Sequence, residues 1–106
     1  MTTTVAVLQE AIFATAAGTS YTSDGCTTAL DSVVATNEGS AIATVTVQLV
    51  SPDGASVASH KKALQPGASW PFPLIVGQVL AAGGKLTMAC PTANAIKWRA
   101  SGRQFT

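Results

Sequence analysis

At 106 residues the chain is long enough for one domain, 1–106, that buries roughly two thirds of the surface its unfolded form exposes, so no disulfide or metal is needed for folding. Charged residues make up only 10%, against about a quarter in ordinary soluble domains, and the net charge is +1. That balance argues against broad electrostatic capture of nucleic acid. It suits an exterior largely covered by partners, or else one solvated by Thr and Ser hydroxyls.

Residues 5–14 are partly apolar, but no Lys or Arg precedes them and Gln9 and Glu10 interrupt the run. Neither a secretory signal nor a membrane span fits, and a chain starting at or near Met1, inside a cell, is expected. Val5 and Val7 alternate in the manner of a strand, and Leu8, Ile12 and Ala16 fit either its continuation or a short helix. Ala17-Gly18-Thr19-Ser20 ends that element, and Tyr21-Thr22 opens a polar stretch through the turn dipeptide Asp24-Gly25.

Thr27 to Asn37 predicts a strand from its Thr and Val content, with a bulge, since Leu30, Val33 and Val34 do not share one face. After the turn Asn37-Glu38-Gly39-Ser40 comes the clearest strand, Ala41 to Val50. Ala41, Ala43, Val45, Val47 and Leu49 fall on its buried side, and Thr44, Thr46 and Gln48 on its wet side. Ser51-Pro52-Asp53-Gly54 turns the chain back into a strand from Ala55 to Leu64, with Val57 and Ala63 as its inward candidates.

Pro66-Gly67 turns again. Trp70, Phe72 and Leu74 then alternate with Pro71 and Pro73, which cannot donate to a ladder, so this is an edge strand or a strapped-on extended segment. Leu74 to Leu80 fits one helical turn before Gly83-Gly84. Leu86, Met88 and Cys90, then Ile96, Trp98 and Ala100, alternate with polar or small residues, which predicts a closing pair of half-buried strands. About seven or eight short strands with frequent turns and no long helix give an all-β antiparallel β-sandwich, immunoglobulin-like or jelly-roll-like.

Cys26 and Cys90 lie far apart; a bridge between them would add about 4 kcal/mol in the chain-entropy model, but without a secretory signal two buried thiols are expected. All five acidic residues precede residue 54 and all six basic ones follow it. Either the halves interleave and cancel in space, or acidic and basic faces meet in neighbouring copies.

Catalytic chemistry finds little support. His60 is the only histidine, and no serine sits in a nucleophile elbow. Ser59-His60-Lys61-Lys62 has the Ser-x-x-Lys spacing of penicillin-interacting enzymes without their companion motifs. Gly83-Gly84-Lys85 fails as a phosphate loop, because the upstream glycine is missing and Leu86 follows the lysine. No zinc spacing is present. No catalytic, cofactor-binding or metal-binding residue is expected. Lys85, Lys97, Trp98 and Arg99 are compatible with a small basic stacking platform for single-stranded nucleic acid, but Trp98 shares parity with Ile96 and Ala100 and is expected in the core.

Several stretches in sequence order, Tyr21-Thr22, Ala35-Thr36-Asn37, Val45 to Val50, Leu64-Gln65-Pro66-Gly67, Leu74 to Leu80 with Gly83-Gly84, and the ending Ser101 to Thr106, resemble a group of small virion proteins of tailed bacteriophages. The resemblance runs over nearly the whole chain; Cys26 and Cys90 depart from it. It implies a structural β-sandwich assembled on the virion, on the head as a capsid decoration or cement protein, or in the tail or its fibres as an adaptor. The implied partners are the major capsid protein or another virion protein, with self-association, and no nucleic acid, membrane or small-molecule substrate. Trp70, Phe72, Arg103 and Phe105 are the candidate contact residues; for Trp70 and Phe72 a place in the core is the competing expectation, whereas a near-terminal Phe105 has little chain of its own to pack against.

Overall fold

In the computed structural model, which describes residues 2–106, alternation and turn chemistry yield nine strands and no helix among the described residues. They are β1 (Thr3–Phe13), β2 (Thr19–Thr22), β3 (Thr27–Asn37), β4 (Ala43–Val50), β5 (Ser56–Leu64), β6 (Ser69–Trp70), β7 (Val79–Leu80), β8 (Lys85–Ala89) and β9 (Ile96–Phe105). β6 and β7 both pair with β3, so they behave as two pieces of one interrupted strand.

Two antiparallel sheets result. One runs β1-β9-β3-β6, with β7 also beside β3; the other runs β2-β8-β4-β5. The pairings nest: β1 with β9, β2 with β8, β3 with β6 and β7, and β4 with β5. A nested set is one long antiparallel ribbon rolled up so that β9 also meets β3 and β8 also meets β4, which is the strand order of a jelly roll. Between the two topologies left open by the sequence, the strand order selects this one.

Each sheet turns one side inward. Leu30, Val33 and Ala35 of β3 and Ile96, Trp98 and Ala100 of β9 meet Val45, Val47 and Leu49 of β4 and Leu86 and Met88 of β8 in a single core cluster. Polar side chains tie the sheets at its margins. Trp98 donates its indole N–H to Thr19 Oγ1 at 2.8 Å, and Gln104 Nε2 donates to Tyr21 Oη at 2.9 Å. Tyr21 Oη lies 3.0 Å from Thr28 Oγ1, which in turn lies 2.7 Å from Ser23 Oγ. Asn37, fully buried at the end of β3, donates to the carbonyls of Ala41 and Leu64 at 2.8 Å and accepts from the Gly39 N–H at 2.8 Å. Buried amides are stable only when paired, and these are.

Four sequence expectations change, and one open choice is settled. Thr19–Thr22 is a strand, because Tyr21 supplies an inward side chain whose hydroxyl is satisfied. The stretch after Leu8 stays extended, with register shifts between Val7 and Ile12 in place of a helix. On β5 the inward set is Ala58, His60, Lys62 and Leu64, so Val57 and Ala63 point out; Val57 is 66% exposed. β8 and β9 are consecutive but lie in opposite sheets and face each other across the core, so the closing alternation marks two facing strands and not a hydrogen-bonded pair. The Trp70, Phe72, Leu74 alternation breaks at a turn. Phe72, at φ 47°, accepts from the N–H groups of Ile75 and Val76, which buries Phe72 and Ile75 and leaves Leu74 exposed.

Both cysteines are free and buried. Cys26 Sγ lies 3.6 Å from Ser23 Oγ and 3.7 Å from Thr28 Oγ1, within the polar cluster between the sheets.

Candidate interaction surface

β9 is a central strand, and alternation sends Lys97, Arg99, Ser101, Arg103 and Phe105 to the outer face of its sheet. The register fixes what stands beside each. Phe13, Lys97, Thr36 and Ser69 form one cross-strand row; Val7, Ser101 and Ser32 another; Val5, Arg103, Ala29 and Val79 a third; Thr3, Phe105 and Thr27 the last. Small side chains in the middle rows leave a shallow groove of about 290 Å³ over Ala11, Ser32, Val34 and Ser101, with Lys97 and Arg99 beside it.

Every cation on this face has a carboxylate partner from a flanking element. Lys97 Nζ lies 3.4 Å from Glu38 Oε2, Arg99 Nε 3.9 Å from Glu10 Oε2, and Arg103 grips Asp31 with two hydrogen bonds of 3.1 Å from Nε and Nη2. The acidic and basic halves of the sequence therefore meet within the molecule, across the β1-β9-β3 ladder. Exposed pairs of this kind contribute about 0–1 kcal/mol each to stability. Their larger consequence is a face without net charge, whose arginine and lysine stems lie over aromatic rings: Lys97 Nζ is 5.0 Å from the Phe13 centroid and the Arg103 guanidinium 5.9 Å from that of Phe105. Val5, Val7 and Val79 stand exposed around them.

Of the four candidate contact residues, Arg103 and Phe105 share this face. Phe105 is half-buried in the ladder between Thr3 and Thr27, so the chain end is a strand and not a loose tail. Trp70 and Phe72 lie elsewhere, at the opposite margin of the sandwich. Phe72 is 2% exposed and belongs to the core, which corrects its assignment as a contact residue. Trp70 is half-buried against the core with Lys62 Nζ 4.1 Å from its ring centroid, beside a notch of about 140 Å³ that His60 and the exposed Leu74 also line. The four residues thus make two separate places.

The sequence does not single out Phe13, Val34 or Val79. Their outward parity depends on irregularities in β1 and β3 and on a two-residue β7, none of which alternation alone can locate. Trp98 is 1% exposed and hydrogen-bonded to Thr19, so its ring is not offered for stacking on a base. No carboxylate of the described residues lies in hydrogen-bond reach of His60. No group of three or more metal-ligating side chains occurs among the described residues. The chain matches no protein family, no curated protein and no solved structure.

Proposed function

We propose that this protein is a structural component of a tailed-bacteriophage virion, a decoration or cement protein that sits on the outer head surface and stabilises the shell. The observation that carries the reading is the outer face of the β1-β9-β3 sheet, where self-paired charges, a shallow groove, exposed valines and half-buried phenylalanines form a surface of protein-contact character. Charge-neutral faces with an apolar complement and an arginine are the ordinary composition of protein–protein contacts. The jelly-roll strand order adds a fold-level analogy, since capsid domains use it; lectins and cupins use it too, so the surface and the resemblance of the sequence bear the weight.

The mechanism is mechanical. Each copy contributes a modest contact to the major capsid protein or another virion protein, and many copies across a lattice make the shell hard to open. The test is to purify DNA-filled particles and locate the protein on them by electron microscopy. Density of this jelly roll at subunit junctions of the head is the expected result; density on the tail or fibres moves the role to an adaptor, and absence from particles refutes the reading. Retention on a single-stranded DNA column at physiological salt would instead favour nucleic-acid binding.

A further inference from the structure

Four strand edges lie open at the margins of the two sheets, and three of them are blunted. β2 is four residues long. β5 carries His60, Lys61 and Lys62. β6 is two residues long, and Pro71 and Pro73 follow it. Short length, charge and proline are the devices by which edge strands avoid pairing with other chains. β1 has none of them over Thr3–Val7, ahead of its register shifts: no charge, no proline, and β-prone Thr or Val at four of the five positions. Its Val5 is 80% exposed, the most exposed large apolar side chain among the described residues.

The backbone phase of this edge follows from its inner neighbour. Thr2 and Thr106 exchange both backbone hydrogen bonds, at 2.8 and 2.9 Å. In an antiparallel ladder such pairs alternate with pairs that do not bond, so Thr4 and Ala6 direct their N–H and C=O groups at β9, and Thr3, Val5 and Val7 direct theirs outward. The regular run ends at the register shift after Val7. What remains is a five-residue segment, Thr3 to Val7, with three free donors and three free acceptors placed symmetrically about Val5.

We infer that β1 pairs antiparallel with β1 of a second copy of this chain, Val5 opposite Val5 and Thr3 opposite Val7, joining two β1-β9-β3-β6 sheets into one. All three outward-directed residues become bonded pairs in this register, giving six intermolecular hydrogen bonds with no group left over. The occupant is a second copy because the pattern is its own complement. A two-fold contact requires a patch that matches itself, and a charge-free segment centred on one valine brings no like charges together. Five residues a side fall short of the roughly 800 Å² per partner of a standard interface, so the dimer is weak in solution and gains from repetition on a surface. The inference deepens the self-association that the resemblance of the sequence implies, but stands on the edge geometry alone.

The test is sedimentation of the purified full chain over a concentration series. The wild type is expected to pass from monomer to dimer, and Val5→Lys to weaken dimerisation by at least about tenfold through like charges placed opposite each other. Val5→Pro should do the same while keeping the far-UV circular dichroism of the wild type, since the Val5 N–H makes no bond within the monomer. Val57→Lys, on the β5 edge, should dimerise like the wild type. Mixing V5K with V5E copies should restore a mixed dimer, an outcome that only residue 5 facing residue 5 provides. A wild type that stays monomeric at millimolar concentration, a V5K protein that dimerises normally, or a mixture that does not associate overturns the inference. Because all of these are read on free protein, absence of the protein from particles refutes the virion role and leaves the pairing intact.

Discussion

The two outer faces of the sandwich solve the problem of a charge-poor surface in different ways. On the β2-β8-β4-β5 sheet, Ser20, Thr87, Gln48 and Ser59 form one row, Ser20 Oγ sits 3.0 Å from Thr87 Oγ1, and Thr46 stands beside Lys61. Hydroxyls and amides solvate most of this face directly, with Lys61 and Lys85 beside them and Val57 exposed at the β5 edge. On the β1-β9-β3-β6 sheet the polar atoms are spent on one another, in three ion pairs, and apolar side chains fill the space between. Water satisfies the first face and gains little from the second. The asymmetry sets which side the proposed virion contact would use, and perturbing each sheet separately puts that assignment at risk.

The largest effect is expected at Gly102, inside the β1-β9-β3-β6 sheet. An added Cβ would stand 2.1 Å from the Ala29 carbonyl oxygen, where β9 passes the register shift of β3 between Leu30 and Ser32. Backbone cannot retreat from a central strand, so Gly102→Ala should cost about 4 kcal/mol or more, enough to abolish cooperative folding in a small domain. Urea denaturation followed by circular dichroism measures it. A midpoint within error of the wild type would mean that β9 and β3 do not approach as described. Thr87→Ala, on the opposite sheet, should change stability by less than about 0.5 kcal/mol.

Asn37 comes next, because it joins the sheets and not one face. Asn37→Ala strands two carbonyls and one N–H, each costing about 1 kcal/mol or more where water cannot reach, so a loss of about 3 kcal/mol is expected in the same assay. The two faces separate in function at Ser101 and Thr87. Ser101→Arg fills the groove on one sheet and Thr87→Arg projects from the other, and each should leave the denaturation midpoint nearly unchanged. Particle occupancy, measured by quantitative gel analysis of purified virions, should fall at least about tenfold for Ser101→Arg and hold for Thr87→Arg. Equal loss from both would erase the distinction between the faces.

How far the sequence reveals these features depends on what alternation reports. It tells which side of a strand is buried, and so it placed Val45, Val47 and Leu49, Leu86 and Met88, and Ile96, Trp98 and Ala100 correctly. It does not tell which strand lies alongside: β8 and β9 alternate alike yet lie in opposite sheets, because partner choice is decided by where the Pro91–Ala95 connection leads. On β5 the inner positions fall to His60 and Lys62, since an edge strand at the rim needs little apolar burial there. The separation of acidic from basic residues was legible as a pattern; that Asp31 would meet Arg103 required the β3·β9 register. Leu74 leaves the alternation of Trp70 and Phe72 for a different reason. A turn with a left-handed residue resets parity, and nothing in an alternation of Trp, Pro and Phe announces it.

The smallest expected effect lies in the turn between β4 and β5, on the water-facing sheet. The Asp53 carboxylate accepts a hydrogen bond from the Ser51 hydroxyl and another from the Ala55 N–H at 3.0 Å, and the Ser51 bond above all holds its pKa below the usual aspartate value. Both bonds favour the ionised form, so the native pKa is the lower one. The stabilisation is complete above the unfolded value, about 3.9, and is lost as pH falls through the native one. Asp53 is fully exposed, so the change is confined to the turn: between pH 5 and pH 2 the Ala55 amide should lose protection from hydrogen exchange, while the Val47 amide in the centre of β4 keeps its own. Asp53→Ala should remove the pH dependence at Ala55 and leave the face opposite, with its ion pairs, unaffected. If Ala55 protection is flat with pH in the wild type, the turn is held by Pro52 and Gly54 geometry alone and owes nothing to the Asp53 charge.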